Sequence, residues 1–147
     1  MKMTNTIKLT AVALTATFGL AIAAAAQDAA GTPPAAATLP PASTKQGVTY
    51  ATDIKPILDA SCVKCHSGDR PKARLKLDTL EGALKGSKDG PILKAGDSAN
   101  SFVVKSIAHL TSDHDSWMPP LNNKAGIKPL TPEQIGLIRA WIDQGAK

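Results

Sequence analysis

Apolar positions recur along this chain with different spacings, and each spacing predicts a different element. Ile54, Ile57 and Leu58 share one face of a helix that begins near Thr52-Asp53. Thr52 is expected to cap it, Asp53 suits its positive end, and Pro56 is tolerated in its first turn. Arg74-Leu75-Lys76-Leu77 alternates at period two, which predicts a short extended segment with both leucines inward. Asp78 is expected to cap a brief helix through Leu84, ended by Gly86. Phe102, Val103, Ile107 and Leu110 predict an amphipathic helix within Ser98–Leu110, started by Asp97 or Ser98. The best-marked helix is the last. Thr131 and Gln134 make a capping box, Pro132 takes the first helical position, and Ile135, Ile138, Trp141 and Ile142 form a stripe before Gly145.

The N-terminal third follows other rules. Lys2 and Lys8 precede a largely apolar run, Leu9 to Ala26, that ends in Ala24-Ala25-Ala26. This predicts an export signal over residues 1–26, cut before Gln27. An uncleaved membrane anchor is the alternative, although the run is near the lower length limit for a span and only weakly apolar. Residues 27–47 are rich in Ala, Pro, Thr and Ser and are expected to form an extended, mobile linker. One folded domain remains, over residues 48–147.

Charge excludes one class of function. The chain carries 17 basic against 12 acidic side chains, a formal charge of +5, and loss of Lys2 and Lys8 with the leader reduces this to +3. Nucleic-acid binding needs a denser basic face, so none is expected. Aromatic side chains within the domain are limited to Tyr50, Phe102, Trp117 and Trp141. A large flat apolar cofactor would supply the missing bulk, and the domain without it is expected to fold poorly.

Cys62-Val63-Lys64-Cys65-His66 names that cofactor. A C-x-x-C-H run in an exported chain is the attachment signature of c-type haem. Two thiols one turn apart can add to the two haem vinyl groups as thioethers. The adjacent imidazole of His66 then supplies an axial ligand to iron. Cys62 and Cys65 are the chain's only cysteines, so this use consumes both. A Cys62–Cys65 disulfide closes too short a loop to stabilise much. A thioredoxin-like pair needs a βαβ pattern that is not visible, and zinc needs two further ligands from the distant His109 and His114.

Met118 is the expected distal ligand. It is the only methionine outside the leader and sits in Ser116-Trp117-Met118-Pro119-Pro120, ahead of the last helix. A thioether favours reduced iron relative to a second imidazole. His109 and His114, upstream of the same loop, are its competitors, and a plain core role for Met118 is the remaining alternative. Trp117 is expected against the haem edge, with Asn122 or Asn123 hydrogen-bonded to the sulfur.

These residues, with Leu75-x-Leu77-Asp78, Gly86, Gly96-Asp97, Ser101, Met118-Pro119-Pro120 and Trp141-Ile142-Asp143-Gln144-Gly145-Ala146, resemble the cytochrome c domain frequent in planctomycete and verrucomicrobial proteins. The resemblance implies an all-α, class I-like fold around covalent haem c, with long loops and at most a short extended segment. It implies Cys62 and Cys65 as thioether sites, His66 proximal and Met118 distal. The function it implies is one-electron transfer between exported or membrane-bound redox partners, without catalysis. A haem sensor or enzyme with a dissociable Met118, and a structural module of a larger redox complex, are the alternatives. Lys64, Arg70, Lys72, Arg74 and Lys76 form either a basic rim for an acidic partner face or an ordinary solvated loop. Contact with a membrane is expected only if the leader is retained.

Overall fold

The computed structural model describes residues 38–147; the signal and the first part of the linker lie outside them. Among the described residues the fold is all-α. Four α-helices are present: α1 (Lys55–Ser61), α2 (Leu80–Lys85), α3 (Phe102–Ile107) and α4 (Pro132–Asp143). Long loops join them, and the one β feature is an isolated bridge between Ser87 and Gly90. None of these helices is long and apolar enough to cross a membrane.

Helix α4 organises the core. Its Thr131–Gln134 capping box and first-turn Pro132 are present as the sequence predicts. Ile135, Ile138, Trp141 and Ile142 are all buried, so the stripe faces inward along its whole length. The helix packs against α3 and against a π-helical turn, Tyr50–Ile54, that leads into α1. Tyr50 and Trp141 meet there, ring centroids 5.9 Å apart at 48°. That geometry is favourable for aromatic pairs. The Trp141 indole N–H donates to the Lys147 carbonyl at 2.9 Å, and the Tyr50 N–H reaches the same oxygen at 3.2 Å. The two ends of the domain are thereby closed on one another.

Several sequence expectations shift by a residue or more. The first helical segment is capped by Thr49, whose hydroxyl accepts from the Thr52 N–H, while Asp53 accepts the Thr49 N–H at 2.9 Å. Thr52 instead lies inside the turn, because Asp53 reaches back and moves the cap three residues upstream. Thr79, not Asp78, caps α2 by accepting the Gly82 N–H at 3.1 Å. Helix α3 is shorter than the apolar pattern predicts. Asp97 binds the Asn100 amide and Ser101 Oγ donates to the Asp97 carbonyl at 2.8 Å, so Ser98–Ser101 closes into a turn before the helix begins. Phe102, expected inside, is half exposed at 50%.

Residues 38–47 also differ from a free linker. They run extended along α4, with the Ser43 N–H on the Gly136 carbonyl at 2.8 Å and Gln144 Nε2 on the Lys45 carbonyl at 2.7 Å. Arg139 donates to the Pro40 carbonyl as well. A Cβ at position 136 would lie 2.6 Å from the Pro41 carbonyl oxygen, so glycine is what lets this segment lie against the helix. Leu39 packs on the core from the same segment.

Candidate haem-binding site

Helix α1 ends where the motif begins. The Cys62 and Val63 amides both bond to the Leu58 carbonyl, at 2.7 and 3.0 Å, and the chain turns out of the helix. The Cys65 and His66 amides then both reach the Cys62 carbonyl, at 3.1 and 3.0 Å. This compact turn sets Cys62, Cys65 and His66 on the wall of one cavity of about 300 Å³. Ile54, Leu58, Leu75, Leu77, Val103 and Ile107 supply much of its apolar lining. The period-two leucines thus fulfil their expectation: both are buried and Lys76 between them is exposed.

His66 is held in one orientation by the backbone. It is buried, and its Nδ1–H donates to the Lys72 carbonyl at 3.2 Å, which leaves the Nε2 lone pair free. A backbone carbonyl on the second ring nitrogen is the usual partner of a ligating histidine and fixes the ring's rotation. Burial pushes the imidazole pKa below its ordinary value, against the opposing effect of the Lys72 and Leu75 carbonyls. The ring is therefore neutral near pH 7. The Lys72 N–H returns a bond to the Cys65 carbonyl at 3.0 Å, and the Leu77 N–H bonds the His66 carbonyl at 2.8 Å.

Cys62 and Cys65 form no disulfide with each other. Burial, with a smaller contribution from Cys65, pushes Cys62 up to about 11, so it is uncharged at neutral pH. A neutral thiol in an apolar wall suits a thioether site. No group of three or more His, Cys, Asp or Glu side chains is arranged to hold a metal ion among the described residues. Cavity, thiol pair and oriented imidazole together fit a covalently held haem.

Met118 lines the same cavity from the loop between α3 and α4. Its N–H donates to the Ser106 carbonyl at 3.1 Å, which fastens the loop to α3. Neither histidine lines the cavity. His109 Nε2 donates to the Pro119 carbonyl at 3.2 Å, and its ring stacks on Trp117 at 4.9 Å and 5°. His114 is exposed and also meets Trp117, 4.0 Å between centroids. Trp117 is accordingly in contact with two imidazoles, its indole N–H on the Thr111 carbonyl at 3.1 Å, and not on the cavity wall. Trp141, from the apolar stripe of α4, is the tryptophan that lines it.

Asn123 is committed elsewhere too. Its Nδ2 donates to the Pro120 and Ile127 carbonyls, both at 2.7 Å, and its Oδ1 accepts the Ile127 N–H at 2.8 Å. It braces the loop after Met118 and has no amide proton left for the sulfur. Asn122 is exposed and does not line the cavity.

Residues 62–122, from the first motif cysteine to just past the distal loop, match the family model for planctomycete cytochrome C. That match makes the span similar to a planctomycete-type cytochrome c domain. No curated protein and no solved structure gave a significant match. The matched span contains every candidate cofactor-binding side chain, while α4 and the Tyr50 turn that support them lie outside it.

Proposed function

We propose that this protein is a monohaem one-electron carrier. Haem c is held through Cys62 and Cys65, with His66 as proximal and Met118 as distal ligand to the iron. The observation that carries this reading is that one apolar cavity is lined by all three motif side chains and by Met118. The similarity of residues 62–122 to the planctomycete cytochrome C family supports electron transfer in place of catalysis.

When bound, the haem supplies an iron that changes charge by one electron. The chain supplies the rest. The Lys72 carbonyl orients His66, the apolar wall excludes water, and the Ser106 carbonyl holds the Met118 loop in place. Because His66 and Met118 would both hold the iron, no coordination site would be open to a substrate. The partners are redox proteins met after export, in the periplasm if residues 1–26 act as the expected leader, or at the membrane if that leader is retained.

Protein matured in a haem-attaching host tests this directly. The expected results are a mass increased by one haem, a reversible one-electron titration, and a long-wavelength sulfur-to-iron band. Met118→Ala should abolish that band, open the reduced protein to carbon monoxide and lower the potential, since the thioether favours reduced iron. A chain of unmodified mass would overturn the proposal. Rapid carbon monoxide binding to the unaltered reduced protein would replace it with a sensor or enzyme whose Met118 dissociates.

A further inference from the structure

A second concavity, about 460 Å³, lies on the outer side of the segment that lines the haem cavity. Along residues 74–77 the chain alternates, Leu75 and Leu77 facing the haem cavity while Arg74 and Lys76 face this recess. Arg70 joins them from the preceding turn and Lys85 from the last turn of α2. A Cβ at Gly82 would lie 2.7 Å from the Lys76 Cβ, so glycine allows α2 to press close enough for Lys85 to complete the wall. Asp69 is the only acidic residue lining it. The ion pairs of the described residues are Lys45–Asp53, Lys55–Asp59, Lys88–Asp89 and Lys94–Asp97, and none involves the four cations of the recess.

Four cations around one carboxylate leave an excess of positive charge that a compact multivalent anion would neutralise. Two guanidinium groups offer the forked donors that match tetrahedral oxyanions, and two ammonium groups add point charges. A concave surface admits a small ligand, whereas a flat acidic protein face would reach only its rim. The recess is also bonded to the motif. Between Arg70 and Arg74 lies Lys72, whose carbonyl orients His66 and whose N–H binds the Cys65 carbonyl.

We propose that Arg70, Arg74, Lys76 and Lys85 bind a small multivalent oxyanion, phosphate being the simplest, and that its binding favours the oxidised protein. The redox half rests on the haem-carrier reading; the binding half does not. Neutralising positive charge beside the proximal ligand stabilises the iron state of higher charge. Reciprocally, the oxidised protein binds the anion more tightly. A tenfold preference would lower the potential by about 59 mV for one electron.

The test is calorimetric titration of the haem-loaded protein with inorganic phosphate, in both redox states, at ionic strength held constant with chloride. Expected are saturable binding, competition by sulfate, tighter binding to the oxidised form and a matching fall in potential. Arg70→Gln with Lys85→Gln, both exposed positions, should weaken binding at least tenfold with an unchanged visible spectrum. Lys124→Gln, an exposed cation outside the recess, should leave it unchanged. No phosphate heat in protein with a normal haem spectrum would overturn the proposal while leaving the carrier reading intact. Equal binding by the double variant would overturn it as well, and equal affinity in the two redox states would overturn its redox half. Slower electron transfer in the double variant without phosphate binding would reassign the cluster to docking of an acidic protein.

Discussion

Asp143→Ala isolates the junction that holds one wall of the haem cavity to the last helix. Ser98 is 1% exposed, and its N–H and hydroxyl both donate to the Asp143 carboxylate, at 2.8 and 2.9 Å. Arg139 Nε in turn donates to the Ser98 hydroxyl oxygen at 3.1 Å. The Ala variant leaves two buried donors without acceptors. Each such orphan costs about 1–3 kcal/mol, about 2–6 kcal/mol for the two, and the lower part of that range, about 2–4 kcal/mol, is expected because the carboxylate itself is exposed to water. Asn at the same position keeps one acceptor for the Ser98 N–H and should cost about half as much. Denaturant unfolding of the haem-loaded protein, followed by helical circular dichroism, gives the difference at unchanged slope. In a domain of this size each kcal/mol should also lower Tm by about 4–8 °C. The haem spectrum should persist under native conditions, since no haem-contacting residue is altered. If Asp143→Ala lies within about 0.5 kcal/mol of the parent, a margin typical of neutral surface changes, the Ser98–Asp143 junction does not carry the load assigned to it.

Two further outcomes follow from the helix ends and their charges. Thr131→Ala removes the cap of α4, where the side chain accepts the Gln134 N–H at 3.3 Å, and should cost about 1 kcal/mol in the same unfolding assay. Asp53 sits below the usual carboxylate range through its hydrogen bond from Lys45, then that from the Thr49 amide. Its contribution is present above the unfolded value of about 3.9 and is lost as pH falls through the lower folded value. Asp53→Asn should therefore reduce stability at pH 7 yet leave a shallower loss on acidification below about pH 4, as read from unfolding midpoints across that range.

The differences between pattern and structure arise in part from competing neighbours and in part from distant groups. Thr52 and Asp78 are reasonable caps by residue type. The structure uses Thr49 and Thr79 because Asp53 satisfies the Thr49 amide and because Thr79 Oγ1 meets the Gly82 amide. Phe102 follows a helical apolar pattern, yet stands half exposed beside the haem cavity, which it helps to line. The proline-rich segment has no periodicity that announces a partner. Its fastening depends on Gly136, almost a hundred positions later, leaving a bare strip of helix.

What the chain determines by itself is local. Thiols one turn apart with an imidazole beside them, a capping box ahead of an apolar stripe, and leucines at period two are arrangements of near neighbours, and each is legible from spacing. Tertiary structure alone decided which carbonyl would orient His66, since Lys72 reaches it by a backbone atom that carries no side-chain identity. It also decided that Met118 lines the cavity while His109 and His114 turn to Trp117, and that four cations scattered over residues 70–85 share one recess. Those outcomes depend on which loops close against which helices. That is settled by burial and hydrogen bonding summed over the whole domain, which no short window of residues contains.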